Sequence, residues 1–273
     1  RNNKGFGCFE VTHRNGDAFV VNKELQKEYW KKAPGLLAVF QCHTNTSDLR
    51  QLFKTINEQY QILKSGLNRP GNHPLYVKSI LFQYYAKNNV KWEKRWLKHK
   101  FKSEGVMPII KQNNLPIETD CSNQWDHSEN TANSVNYRYI RSLFGLAEHN
   151  EFQKNNPPGG KSFKVNIKHL QNGDTKIERN RSPITLKVIY GNLYFLVFPP
   201  AAILYNELFS FSFKNERGIE IGHNISAPNS FDIVDFMGYA TSLINDINKR
   251  MDPRPNNCRD DHSSFAQQYS RII

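Results

Sequence analysis

The pattern of apolar and polar positions predicts a β-α unit in the first quarter of the chain. Leu36 to Gln41 form a short apolar run that is typical of a buried strand. A helical pattern follows, for which Thr46 or Ser47 is the expected N-cap and Gly66 the expected stop. The apolar face of this helix carries Leu49, Leu52, Phe53, Ile56, Tyr60 and Leu63.

The second half of the chain carries a hairpin pattern, a strand pattern and a last helix. Residues 182–200 alternate around a turn at Gly191-Asn192 and predict a β-hairpin. Three phenylalanines alternate with polar residues at 209–214 and predict another strand. A final helix is expected from Asn229 or Ser230, and its core face carries Ile233, Met237, Ala240, Ile244 and Ile247.

The intervening segments are less regular. The apolar spacing from Tyr76 to Lys102 predicts a helix, and that from Tyr137 to Leu146 predicts a short one. Residues 103–134 are polar and are expected to form a surface loop or insertion. At the start of the chain, a glycine-rich segment leads into a hairpin that turns at Asn15 to Asp17.

The order of these elements predicts an α+β fold: strand, helix, inserted region, hairpin, strand, helix. A ferredoxin-like, RRM-type antiparallel sheet with helices on one face is the economical arrangement, and it leaves one sheet face or a set of loops to bind a ligand. This domain would span residues 34–252 and contain a largely helical insertion at about 66–134. Residues 253–273 are expected to form a polar tail.

The charge balance favours an acidic partner. Lysine and arginine number 37 against 25 acidic residues, which gives a net charge of +12. Such an excess is typical of proteins that bind nucleic acid, although a soluble basic protein without that function has the same signature.

Cysteine spacing and hydropathy indicate in which cellular compartment the protein is expected and which ligands it is expected to lack. The four cysteines (Cys8, Cys42, Cys121 and Cys258) lie far apart and form no CxxC pair, so we expect reduced thiols, a cytoplasmic protein and no metal or other cofactor. No apolar run approaches the roughly 20 residues that cross a bilayer, so no membrane partner is expected.

The glycine-rich start of the chain is the first candidate RNA site. Gly5 and Gly7 lack a Cβ, so their backbone amides can approach a phosphate closely. Arg1 and Lys4 place positive charge beside them, and Phe6 can stack on a base or anchor the loop. The structural alternative is an ordinary hairpin entry.

Residues 91–102 are the second candidate, because cations and aromatic side chains alternate there. The aromatic residues can pack inward or stack on bases while the cations neutralise phosphates, but a solvated amphipathic face shows the same pattern. On a helix, one side of the segment would carry Lys91, Lys94, Arg95 and Lys98.

Arg138 and Arg141 form the third candidate. Their spacing of three lets both face one groove of an RNA ligand. The alternative is a structural role in which they pair with Glu148 or Glu151.

Candidates for catalysis are fewer. Asp120 and Asp126 lie in the polar loop, where a carboxylate can orient a ribose 2′-hydroxyl, but ordinary loop residues look the same. His43 follows a predicted strand and can act as a base near neutral pH, or can serve as a core or capping residue. Because GxSxG, P-loop, HExxH and paired-carboxylate patterns are lacking, we expect no independent enzymatic activity.

Three motifs together resemble the RAMP superfamily of CRISPR effector proteins. KGFGCFEV resembles the superfamily's glycine-rich loop, NYRYIRSLFGLAEHNEF is similar to a helix end of some type III members, and RSPITLKVI with YFLVF resembles their strand hairpin. The match covers about a fifth of the chain. It is closest to large type III subunits with two ferredoxin-like halves.

The resemblance implies an RNA-binding subunit, or a segment of one, in a type III-like interference complex for antiviral defence. Its partners would be guide and target RNA and other CRISPR effector subunits. The resemblance implies that the glycine loop contacts guide RNA and that Lys161 and Arg181 line the same RNA-binding surface. It also implies that residues 1–33 complete a preceding ferredoxin-like unit, so the chain is expected to be a fragment. The alternatives are a metal-independent endoribonuclease of the same superfamily and a protein-interaction module of the complex.

Overall fold

The computed structural model contains 14 β-strands and four α-helices among the residues it describes. Those residues are 13–14, 17–18, 23–43, 48–69, 75–94, 96–97, 100, 104, 137–146, 149–153, 162–170, 180–189, 192–215, 217–251 and 269–273. The strands are β1 (His13–Arg14), β2 (Asp17–Ala18), β3 (Ala38–His43), β4 (Leu67–Arg69), β5 (Leu75–Val77), β6 (Lys91–Trp92), β7 (Tyr137–Arg138), β8 (His149–Gln153), β9 (Ser162–His169), β10 (Ile184–Ile189), β11 (Asn192–Val197), β12 (Leu208–Lys214), β13 (Glu220–Ser226) and β14 (Tyr269–Arg271). The α-helices are α1 (Lys23–Lys31), α2 (Leu49–Lys64), α3 (Ile80–Ala86) and α4 (Ile233–Met251).

The chain divides into two compact units. The first comprises residues 1–63, 182–200 and 232–273, and the second comprises residues 64–181 and 201–231. The second unit is therefore inserted into the first at two separate points of the chain.

The first unit has a ferredoxin-like topology. Its elements β3, α2, β10, β11, α4 and β14 follow one another in the order βαββαβ. The four strands form one antiparallel sheet in the order β10-β11-β3-β14. The expected α+β, ferredoxin-like fold is thus confirmed. Its last strand lies within the predicted polar tail, and Tyr269 there is only 5% exposed.

The two faces of this sheet differ in character. Phe40 and Phe195 are partners across β3 and β11 on the apolar face, and both are buried. On the other face Gln41 donates to Asn192 at 2.9 Å, and Trp30 of α1 packs edge-on against Tyr194. One sheet face or a set of loops was expected to be free for a ligand, and α1 covers this second face at Tyr194.

Aspartates form the N-caps of the two long helices of this unit. Asp48 caps α2, since its carboxylate accepts from the Arg50 amide at 2.8 Å. Asp232 caps α4, because its carboxylate accepts from the amides of Val234 and Asp235 at 3.0 and 2.9 Å. The predicted starts of both helices are therefore displaced by one to three residues. The predicted stop of α2 is confirmed, since Gly66 adopts a φ of 83° two residues beyond its end.

The second unit is built on a four-stranded antiparallel sheet in the order β13-β12-β9-β8. Phe209, Phe211 and Phe213 point into its core and are at most 2% exposed, which confirms the alternation seen in the sequence. Strand β9 includes the predicted strand at 163–167.

Two predicted helices of this unit are wrong in extent or type. Residues 76–102 contain the short helix α3, a turn in which Asn89 adopts a left-handed φ of 56° and the extended strand β6, and they are helical again at 93–94, 96–97 and 100. The turn breaks the helical spacing, so Lys91 does not share a helical face with Lys94. Residues 137–146 form β7 and then a 3₁₀ helix, Ile140–Phe144.

Candidate nucleic-acid interface

Strands β6 and β7 bring the two downstream basic candidates together. They pair in parallel, with Lys91 beside Tyr137 and Trp92 beside Arg138. The segments are more than 40 residues apart in the chain, and the sequence presented them as separate sites. We call the half-buried cations Lys91, Lys94 and Arg138 the paired-strand surface.

Trp92 lies at the centre of this arrangement. It is 4% exposed, and its ring packs against Phe82 of α3 with centroids 4.9 Å apart. The Lys94 ammonium lies 5.2 Å from the centroid of the indole, and the Arg141 guanidinium lies 6.0 Å from it. The negative face of an indole attracts such cations, so Trp92 helps to position both.

Glu93 holds Arg141 in the interior. Its side chain is fully buried and accepts hydrogen bonds from Arg141 Nε and, at 3.2 Å, from the Ile140 amide. The Arg141 side chain is only 12% exposed. The prediction that Arg138 and Arg141 face one RNA groove is therefore wrong for Arg141, which has a structural role. Its acidic partner is Glu93.

Lys64 braces the same 3₁₀ helix from the end of α2. Its Nζ donates to the carbonyl oxygens of Phe144 and Gly145 at 3.2 and 3.0 Å. Burial lowers the pKa of Lys64 to about 8, the charge of Arg141 lowers it too, and Glu93 opposes both. The RSLFGL segment at 141–146, which resembles a helix end of some type III RAMP proteins, is thus anchored at Arg141 and Gly145.

The remaining predicted site residues are distributed as follows. Arg138 is half-buried and its Nη1 donates to the Tyr137 carbonyl at 3.4 Å, while Arg181 is exposed. His43 ends β3, where its backbone is paired with Asn192. The other predicted residues lie outside the described part of the chain: Arg1, Lys4, Gly5, Phe6, Gly7, Arg95, Lys98, Lys161, Asp120 and Asp126.

Sequence reasoning missed Glu93 and Lys64. A signal for Glu93 was present, because it is the only acidic residue between Lys87 and Lys102, a segment with seven lysines and arginines. An isolated acid in a basic segment is a candidate for a buried counter-ion. No comparable signal marks Lys64.

Within the described ranges, no group of three or more His, Cys, Asp or Glu side chains is arranged to hold a metal ion. No helix of the described chain combines the length and apolar character needed to span a membrane.

The fold and the comparisons with known proteins agree on the class of protein. The ferredoxin-like topology of the first unit is the fold that the resemblance to the RAMP superfamily implied. Residues 1–67 match the model for the Cmr1 N-terminal domain, and residues 76–264 match the model for the Cmr1 C-terminal domain. The chain belongs to the Cmr1 family, and the family marks it as a subunit of a type III CRISPR effector complex. Neither a curated protein nor a solved structure matches the chain.

Proposed function

We propose that this chain holds guide or target RNA within a cytoplasmic type III effector complex for antiviral defence, and that the paired-strand surface contacts the RNA. The observation that carries the proposal is the pairing of β6 with β7, which concentrates cations from two distant segments. The net charge of +12 and the membership of the Cmr1 family support it.

The chemistry of this surface favours the phosphate backbone over the bases. Trp92 is buried, so it cannot offer a face to a base, and its role is to position Lys94. Lysine and arginine cations neutralise phosphates and release bound counter-ions, which binds RNA with little regard to sequence. Such binding suits a subunit that must hold RNA of varied sequence.

The glycine-rich start of the chain remains a second proposed contact. Replacing Gly5 and Gly7 with Val should weaken RNA binding in a folded protein, because a branched side chain keeps phosphate from the backbone amides. Lys4→Ala should weaken binding more uniformly and lower the salt dependence. Normal binding by the folded double Val variant would exclude this contact.

The paired-strand surface can be tested by filter binding of single-stranded RNA over a series of salt concentrations. The double variant Lys94→Gln with Arg138→Gln should bind more weakly, and its slope of log K against log salt should fall by about one for each lost phosphate contact. Lys54→Gln, on the exposed side of α2, is the matched control and should behave as the wild type. Equal slopes for the double variant and the control would exclude this surface.

A further inference from the structure

His223 forms a stacked pair with a buried tryptophan in the second unit. Its ring lies nearly parallel to that of Trp96, at an interplanar angle of 16° and a centroid separation of 4.2 Å. Trp96 is 4% exposed and belongs to the hydrophobic core, whereas His223 is exposed. One face of the imidazole is therefore held against a rigid support while the residue is open to solvent.

The position of His223 in the sheet explains why a polar ring is found there. It lies on the edge strand β13, opposite the fully buried Phe211 of β12. The neighbouring residues Gly222 and Asn224 are also exposed, but they belong to the opposite face of the strand and do not lie over the ring. The core thus ends, at this edge, in an aromatic surface that a flat ligand can reach.

Lys100 places positive charge near this surface. Burial lowers the pKa of His223 below its ordinary value, and the charge of Lys100 lowers it too. The ring is therefore predominantly neutral at pH 7 and presents a π-face beside a cation. A π-face next to a cation is the combination that single-stranded nucleic acid needs, one for a base and the other for its phosphate.

We propose that His223, supported by Trp96, is a stacking platform for one unpaired RNA base. The inference rests on the proposed function, since it requires that the chain binds RNA. The platform adds a contact with a base to the phosphate contacts that we propose for the paired-strand surface.

The test uses the full chain and a single-stranded RNA oligonucleotide that contains one 2-aminopurine, whose fluorescence falls on stacking. His223→Ala should weaken binding by about 5- to 100-fold, the range typical of one lost base stack, with an unchanged salt slope. His223→Phe keeps the aromatic face and should bind like the wild type.

Two outcomes separate this inference from the proposed function. If the wild type and His223→Ala bind RNA equally and quench the probe equally, the platform is excluded while RNA binding stands. If the wild type itself does not bind the RNA, the proposed function fails and the platform fails with it. His149→Ala, on β8 of the same sheet, is the matched histidine control and should leave affinity and quenching unchanged. Thermal melting by circular dichroism confirms that each variant is folded.

Discussion

Removing the charge of Glu93 should destabilise the second unit far more than removing an exposed carboxylate. Glu93 is fully buried and is the partner of Arg141, which is itself only 12% exposed. In Glu93→Gln the guanidinium would lose its counter-ion without gaining access to water. Arg141 Nη2 is already buried without a hydrogen-bond partner among the described residues, so it cannot compensate.

The expected magnitude follows from this burial. Breaking a buried ion pair by removing one partner costs about 3–5 kcal/mol, because a charge is left uncompensated in the interior. Glu151→Gln is the matched control. Its carboxylate is 61% exposed and lies 3.7 Å from His149, so its loss should cost less than about 1 kcal/mol.

Urea denaturation and hydrogen exchange measure the two effects. Glu93→Gln should lower the free energy of unfolding and accelerate amide exchange in peptides that cover 140–145, since the Ile140 amide donates to this carboxylate. Replacing the pair by Glu93→Leu with Arg141→Met should recover much of the loss, because neither charge is then buried. If Glu93→Gln is as stable as Glu151→Gln and exchanges like the wild type, the pair does not anchor the motif.

Three other predictions concern Lys64, two glycines and the last strand of the first unit. Burial holds the pKa of Lys64 at about 8, so the charge of Lys64 destabilises the native state below that pH. In urea titrations, the free energy of unfolding of the wild type relative to Lys64→Met should therefore rise between pH 8 and about 10. Gly145→Ala should lower the free energy of unfolding by about 1–3 kcal/mol, because Gly145 has a φ of 107° and a Cβ there would lie 3.3 Å from a backbone oxygen. Gly238→Ala, in the open interior of α4, should instead raise it by up to about 1 kcal/mol. Equal melting temperatures for the two variants would contradict this. Deleting residues 269–273 should expose the buried Cys42 thiol, whose pKa burial raises to about 12, and peptide mass spectrometry should then find faster alkylation of Cys42 than in the full chain.

Strands and helices with a clear local signal could be predicted from the sequence. The hairpin of β10 and β11 and the strand β12 have alternating or continuous apolar residues, and the structure places them at 184–189, 192–197 and 208–214. Helix α2 was recognised because its apolar spacing is long and regular. In each case, the spacing of apolar residues within one contiguous segment is enough to predict the element.

The interior of the candidate site could not be predicted because its partners are distant in the chain. Glu93 and Arg141 are separated by 48 residues, and most of the sequence between them has no regular pattern. The helix predicted over 76–102 is confirmed at 80–86 and at 93–94, 96–97 and 100, but the turn and strand β6 between them were not predicted. The aromatic residues of this segment pack in different directions, with Trp92 against Phe82 and Trp96 against His223. Their spacing along the sequence alone could not show this.

The topology favours the inserted unit over the ferredoxin-like sheet face as a platform for an RNA base. In a ferredoxin-like sheet, an aromatic residue on the polar face is the natural platform for a base. Here that residue is Tyr194, which is 2% exposed and packs against Trp30 of α1, with ring centroids 4.8 Å apart. A base cannot reach it unless α1 moves. The second unit, in contrast, presents half-buried cations and an exposed imidazole that Trp96 supports.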